Sequence, residues 1–269
     1  GACTDLSPAI LSRTLFHAAG AYRIPNLRAT GYMCRTNLPP FTAFRGFGAP
    51  QGIFVMEAAL SKAAEAMGVD PIELQRKNLL RTGDTFHYGM PVEEARTERS
   101  VDRALERSGW ERKRSEIDEF NRAHRDRKRG MAALPLCFGI SFTKLMMNQG
   151  GALVHVYRDG SVGVHTGAVE MGQGVNRKIQ KVVALTLGMP ESRVRIERTR
   201  TAAVANTSPT AASTGTDLNG MAALVACEEI GRRLSDFRAE SGLADASWET
   251  VVAKAHEARI DLSAHGFYA

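Results

Sequence analysis

The stretch GALVHVYRDGSVGVHTGAV, residues 151–169, constrains the fold of this chain more than any other. Two alternating segments flank Arg158-Asp159-Gly160-Ser161, and Asp-Gly supplies the chemistry of a tight turn. An antiparallel hairpin is therefore predicted. A helix follows (GQGVNRKIQKVVALTLGMP, ending at Gly188), then a strand (SRVRIERT) and a polar loop of small residues over 201–216. The long helix NGMAALVACEEIGRRLSDFRAE comes next, and SWETVVAKAHEARIDLSAHGFYA adds one more helix and a strand. Hairpin, helix, strand, helix is an α+β order rather than a doubly wound one.

The earlier part reads as mainly helical. Helices are expected over 6–20, in GIFVMEAALSKAAEAMG, in VDPIELQRKNLL, and over 99–108 and 111–128. Asp70 caps the third of these, with Pro71 at its first position. LRATGYMCRTNL and GMAALPLCFGISFTKL read as extended, and FGISFTKL by itself reads as a core strand. The change of character near 130 divides the chain into parts 1–130 and 131–269.

Composition removes several function classes. The 269 residues, 43% hydrophobic and 24% charged, are those of a soluble globular protein large enough for a real core. No membrane span or targeting segment is visible. The net charge of +6 gathers partly in ERKRSEIDEFNRAHRDRKRG, which lacks interleaved aromatics and reads as a solvated helix, so a nucleic-acid partner is not expected. Cys3, Cys34, Cys137 and Cys227 form no CxxC pair, which argues against zinc or iron–sulfur ligation in this chain and fits a reducing cytoplasm.

Four segments and one arginine stand apart. FTAFRGFGAPQG, residues 41–52, sets Phe41, Phe44 and Phe47 beside Arg45 in a stretch that its glycines and Pro50 keep irregular. HTGAVEMGQGVNRK, residues 165–178, passes from a strand through Gly167, Gly172 and Gly174 to a helix start. Such a loop suits a phosphate or a polar heterocycle, but by itself an ordinary glycine-rich turn is the default reading. VANTSPTAASTGTDLNG lacks bulky side chains, which exposes its backbone to a ligand or to solvent. FGISFTKL carries Phe142 and Thr143, and Arg13 lies on the first predicted helix, where a solvated arginine is the ordinary reading.

TNLPPFTAFRGFGAPQG, FGISFTK, NQGGALVHVYRDGSV, EMGQGVNRK and NTSPTAAS, in this order and spacing, resemble the molybdopterin-binding region of the xanthine oxidase family of molybdenum hydroxylases. The resemblance runs from DLSPAILSRTLFH to DLSAHGFYA. It implies a molybdenum–molybdopterin cofactor, in pterin or dinucleotide form. FAD and 2Fe-2S clusters are implied on other domains or subunits of a homo-oligomeric holoenzyme. The implied reaction takes hypoxanthine or xanthine to urate with water as oxygen source and a glutamate as base, electrons leaving through Fe–S and FAD to NAD.

Residue by residue, the resemblance implies that Phe47 packs edge-on against a purine and that Phe142 stacks on its face. Thr143 contacts substrate, and Arg13 binds an exocyclic oxygen and stabilises charge building on the ring. Phe44, Arg45, Gly172, Gln173, Ala211 and Ala212 face the cofactor, with Arg45 and Ala212 nearest the molybdenum. Arg13 favours a purine over an aldehyde.

Departures matter as well. The family's base sits in a Gly-Glu-Pro-Pro-type motif that this chain lacks, and Glu170 belongs to the cofactor-loop motif and is no substitute. A second substrate-binding acid and a further cofactor-binding glutamine lie before Gly1 in the family pattern. Ala168, Asn176 and Arg177 replace more usual neighbours of the pterin loop. The chain is expected to be an internal piece of a subunit roughly three times its length, inactive by itself. Two rivals stay open: an aldehyde or other N-heterocycle oxidase of the same family, and a non-catalytic interaction module.

Overall fold

A computed structural model describes all residues, Gly1–Ala269, as two compact units, Gly1–Gly139 and Ile140–Ala269. Together they form an α+β chain of eight α-helices and four strands. No helix is long and apolar enough to cross a membrane.

The second unit is built on the hairpin. Strands β1 (Gly150–Val156) and β2 (Val162–Thr166) pair antiparallel, with Ala152 opposite Thr166 and Val156 opposite Val162. Gly160 closes the turn at φ +78°, and the Asp159 carboxylate accepts from the backbone N–H of Ser161 at 3.0 Å. Strand β3 (Val194–Ile196) runs parallel to β2, so the chain must cross over between them, and α6 (Val175–Leu187) is that crossover. Strand β4 (Ser263–Tyr268) pairs antiparallel with β1, which gives the order β3-β2-β1-β4.

One face of this sheet is apolar because strand side chains alternate. Ala152, Val154, Val156, Val162 and Val164 are buried, and they share a core with Ile179 and Val183 of α6 and Ala222, Ala226 and Ile230 of α7 (Gly215–Glu240). Helix α8 (Trp248–Glu257) adds Val251 and Val252 to that core. Small residues let α7 lie unusually close to the sheet. A Cβ at Gly266 would stand 1.9 Å from the carbonyl oxygen of Ala222.

The first unit holds α1 (Ser7–Phe16), α2 (Ala49–Met67), α3 (Pro71–Asn78), α4 (Thr97–Ser108) and α5 (Trp110–Ala123). Asp70 caps α3 by accepting from Ile72 N–H at 2.7 Å. Helix α1 meets α2 through glycine, since a Cβ at Gly52 would lie 2.4 Å from the carbonyl oxygen of Thr14. Tyr22 is buried, and its hydroxyl donates to Glu57 at 2.6 Å.

Several boundaries differ from those the sequence suggests. Helix α2 begins at Ala49, so Pro50 and Gly52 are helical and only the front of the aromatic–glycine segment is irregular. Proline is tolerated in a first turn, where its missing N–H is not needed. Helix α7 begins at Gly215 rather than near Asn219. Residues 27–38 and 131–144 form no strand, because no other strand of the chain pairs with them. Gln75 instead donates to the Ala133 carbonyl at 3.2 Å, which ties the stretch after 130 to the first unit.

Gly266→Ala is expected to force β4 from α7 and to cost at least about 1–3 kcal/mol, the usual range for overpacking. Urea unfolding of the chain measures it. An unchanged midpoint would contradict this packing.

Candidate functional site

Hairpin register builds the site in the second unit. Ala152 opposite Thr166 brings the start of β1 and the end of β2 to one edge of the sheet. The segment entering β1 (139–149) and the segment leaving β2 (167–174) therefore emerge side by side. The small-residue loop (206–214) joins them through three contacts. Ser141 N–H donates to the Ala212 carbonyl at 3.0 Å, and Val169 N–H donates to Thr210 Oγ1 at 2.9 Å. Gly167 lies so near Thr207 that a Cβ would stand 2.0 Å from its methyl. A Cβ at Gly215 would lie 3.5 Å from a Val175 methyl, so the first turns of α6 and α7 adjoin.

Phe142, Thr143, Gly172, Gln173, Ala211 and Ala212 all lie on these three loops. Phe142 is half-buried, and Thr143 is exposed. Asn148 holds Phe142 by both backbone groups, accepting from its N–H at 2.8 Å and donating to its carbonyl at 2.9 Å. Sequence reasoning missed Asn148, although it opens NQGGALVHVYRDGSV. It missed Thr207 and Thr210 as well, since neither has a local pattern that marks it as a tether.

The glycine loop is not the open anion cradle the sequence permits, because side chains of the loop itself, Glu170 and Gln173, take its N–H groups. Gln173 Oε1 accepts from Met171 N–H at 2.6 Å, and its Nε2 donates to the Val169 carbonyl at 2.8 Å. Its amide still keeps one hydrogen and one lone pair for a ligand. Gly172 and Gly174 take φ +96° and +77°, and no atom lies within 4 Å of where their Cβ atoms would be, so their backbone is open to close approach. Thr207 Oγ1 and Asn176 Oδ1 are buried without a protein partner. An open backbone with orphaned polar atoms beside it fits a flat, hydrogen-bonding heterocycle.

Strain points to the same segments. The non-glycine residues with positive φ are Phe47, Ser141, Asn206, Ala212, Ser213 and Arg259, and all but Arg259 lie on segments singled out above. Such conformations cost of order 1–3 kcal/mol each and concentrate at functional sites.

The first unit carries Arg13, Phe44, Arg45 and Phe47. Thr14 Oγ1 donates to the Gly48 carbonyl at 3.0 Å, which ties α1 to the aromatic loop. Phe47 is half-buried at φ +49°, whereas Phe44 and Arg45 are exposed. Arg13 is not the solvated arginine that its local pattern suggests: it is 9% exposed. Its guanidinium donates to the Gly139 carbonyl and stands 5.7 Å from the centre of the Phe138 ring. His17, one turn on, grips the same glycine. Its Nδ1 donates to the Arg13 carbonyl at 2.8 Å and its Nε2 accepts from Gly139 N–H at 3.1 Å. That pattern requires a neutral ring, and burial accordingly holds His17 below its ordinary value of 6.5.

Two profiles described as molybdopterin cofactor-binding domains match the chain, one over residues 1–79 and one over 103–269. The xanthine dehydrogenase of Drosophila pseudoobscura pseudoobscura is 47% identical over 265 residues, 98% of this chain and 20% of that protein. The xanthine dehydrogenase/oxidase of Mus musculus is 44% identical over 268 residues, with shares of 100% and 20%. The chain thus spans about a fifth of the length of the relatives it matches. An aldehyde oxidoreductase structure from Desulfovibrio desulfuricans has a TM-score of 0.73 at 22% identity, covering 98% of this chain and 28% of that one. Quinoline 2-oxidoreductase from Pseudomonas putida gives 0.71 at 20% identity, with shares of 98% and 38%. At those identities the solved structures attest the fold.

Because the folded state needs His17 neutral, its contribution to stability is present above pH 6.5 and is lost as the pH falls through the lowered value. The protection factor of the Gly139 amide, its exchange rate relative to the intrinsic rate at each pH, is expected to fall over that window in the wild-type chain and to be low at every pH in His17→Ala. A flat wild-type profile would contradict the clamp.

Proposed function

Since the chain belongs to the molybdopterin cofactor-binding domain family, we propose that it is the cofactor- and substrate-binding part of a xanthine-oxidising molybdenum hydroxylase. The observation that carries this reading is the convergence of three loops on an open glycine backbone flanked by orphaned polar atoms. When bound, the molybdenum–pterin group supplies the redox centre for hydroxylation with water.

In this reading Gly172 and Gln173 hold the pterin, the first by open backbone and the second by the free half of its amide. Ala211 and Ala212 leave room on the neighbouring loop, where any larger side chain would intrude. In the first unit Phe44 and Arg45 are assigned to the cofactor, Arg45 on its metal side, and in the second unit Ala212 is assigned to that side as well. Phe142 offers a flat purine an aromatic face and Thr143 offers it a hydroxyl, and Phe47 is assigned to the same substrate class by its place on the aromatic loop of the first unit.

Arg13 gives the substrate class. Burial lowers its pKa, yet a guanidinium stays charged throughout the accessible pH range. Gly139 O and the Phe138 face hold that charge in place before any ligand arrives. A fixed positive group stabilises negative charge developing on a heterocycle without reorganisation at the moment of reaction. Aldehydes do not gather comparable charge on a ring and gain less from it. FAD and Fe–S centres, and NAD as electron acceptor, are assigned to the remainder of a protein of the relatives' length. A homo-oligomeric assembly and a cytoplasmic location complete the proposal.

Xanthine-dependent NAD reduction by the full-length gene product tests it. Arg13→Met is expected to lower that activity roughly 100- to 1000-fold while molybdenum stays bound. An unaffected mutant, or a wild type that oxidises aldehydes and not xanthine, would refute the assignment.

A further inference from the structure

The carboxylate of Glu170 is turned into the glycine loop. Its Oε1 accepts from the N–H groups of Gly172 and Gly174, each at 2.9 Å, and its Oε2 accepts from Asn176 N–H at 3.1 Å. Asn176 belongs to the first turn of α6, so the positive end of that helix is met by a side chain of its own loop. Gln173 closes the same loop by its contacts with Met171 and Val169. Two side chains thus engage the N–H groups of residues 171, 172, 174 and 176 and one carbonyl. The bond from Gly174 N–H, followed by that from Asn176, holds the Glu170 carboxyl below the ordinary glutamate range, and Lys178 of α6 adds to this. The group is ionised at neutral pH, which makes its bonds charge-assisted.

We infer that Glu170 is a positioning residue, a carboxylate latch that fixes the glycine loop and Gln173 in one conformation and closes the N-terminus of α6 to anionic ligand groups. The inference rests on the proposed cofactor role of this loop. An incoming anion would have to displace a tethered carboxylate that already has three donors, and at millimolar concentration a free anion competes poorly with that. The pterin is therefore met at this loop by the open Cα faces of Gly172 and Gly174 and the free half of the Gln173 amide, not by the glycine N–H groups or the α6 dipole. Negative charge on Glu170 also explains why the loop tolerates Arg177 and Lys178 just beyond it.

Residue-resolved hydrogen exchange and molybdenum content, measured on the full-length gene product, test the latch together. Glu170→Ala is expected to speed exchange at Gly174 and Asn176 by roughly tenfold or more and to lower molybdenum retention. Glu170→Gln keeps one carbonyl oxygen for Gly172 and Gly174 but turns an NH2 toward Asn176. It is expected to restore protection at the two glycines, to leave Asn176 exchanging fast, and to recover part of the molybdenum. Wild-type exchange in Glu170→Ala would overturn the latch, and faster exchange with full molybdenum retention would overturn its positioning role. If Glu170→Ala does not fold, wild-type exchange at Asn176 in Glu170→Gln overturns the inference. A wild-type protein without molybdenum whose Glu170→Ala variant still exchanges faster would instead defeat the cofactor reading and leave the latch standing.

Discussion

Everything in the second unit depends on one ladder, the antiparallel pairing of β1 with β2. A slip of one residue between them would turn the buried valines of one strand, Val154 or Val164, to the face opposite their partners and break the surface on which α6 and α7 pack. The same slip would part the segments at the start of β1 and the end of β2. Core and site are therefore specified by one register. Burial of an apolar face selects the pairing, and the pairing then delivers two loops to one edge at no further cost. The third loop arrives because α7 packs on that same face and starts beside α6.

What the sequence made legible was local. The hairpin, the Asp70 cap and the glycine end of α6 each follow from a few neighbouring residues, and each is present. What it left obscure depended on distant partners. Residues 131–144 have an extended, apolar pattern, but a strand needs a second strand, and none is supplied within the chain. Helix α2 starts early because Gly48 and Gly52 dock on α1, a contact between segments far apart in sequence. Arg13 shows the same limit: its neighbours on α1 suggest solvent, while its burial follows from Gly139 and Phe138, more than a hundred residues on. Asn148 and Thr210 are tethers whose importance exists only once the loops they tie have been brought together.

The candidate site also shows how a polar loop can be both open and rigid. Its backbone is exposed at Gly172 and Gly174, yet its amides and Gln173 are engaged by groups of the same loop. Strained residues at Ser141, Ala212 and Ser213 are sustained by the surrounding tethers rather than by their own preferences. A ligand entering such a place finds its contacts already arranged and loses less to ordering them.

The central claim is that this chain holds a molybdenum–pterin cofactor. Metal analysis of the purified full-length gene product, with fluorescence of the oxidised pterin released from it, tests that most directly. The account predicts molybdenum and pterin in equal, near-stoichiometric amounts that fall together when Gln173 is replaced by Ala. Protein that folds normally and contains neither would contradict it.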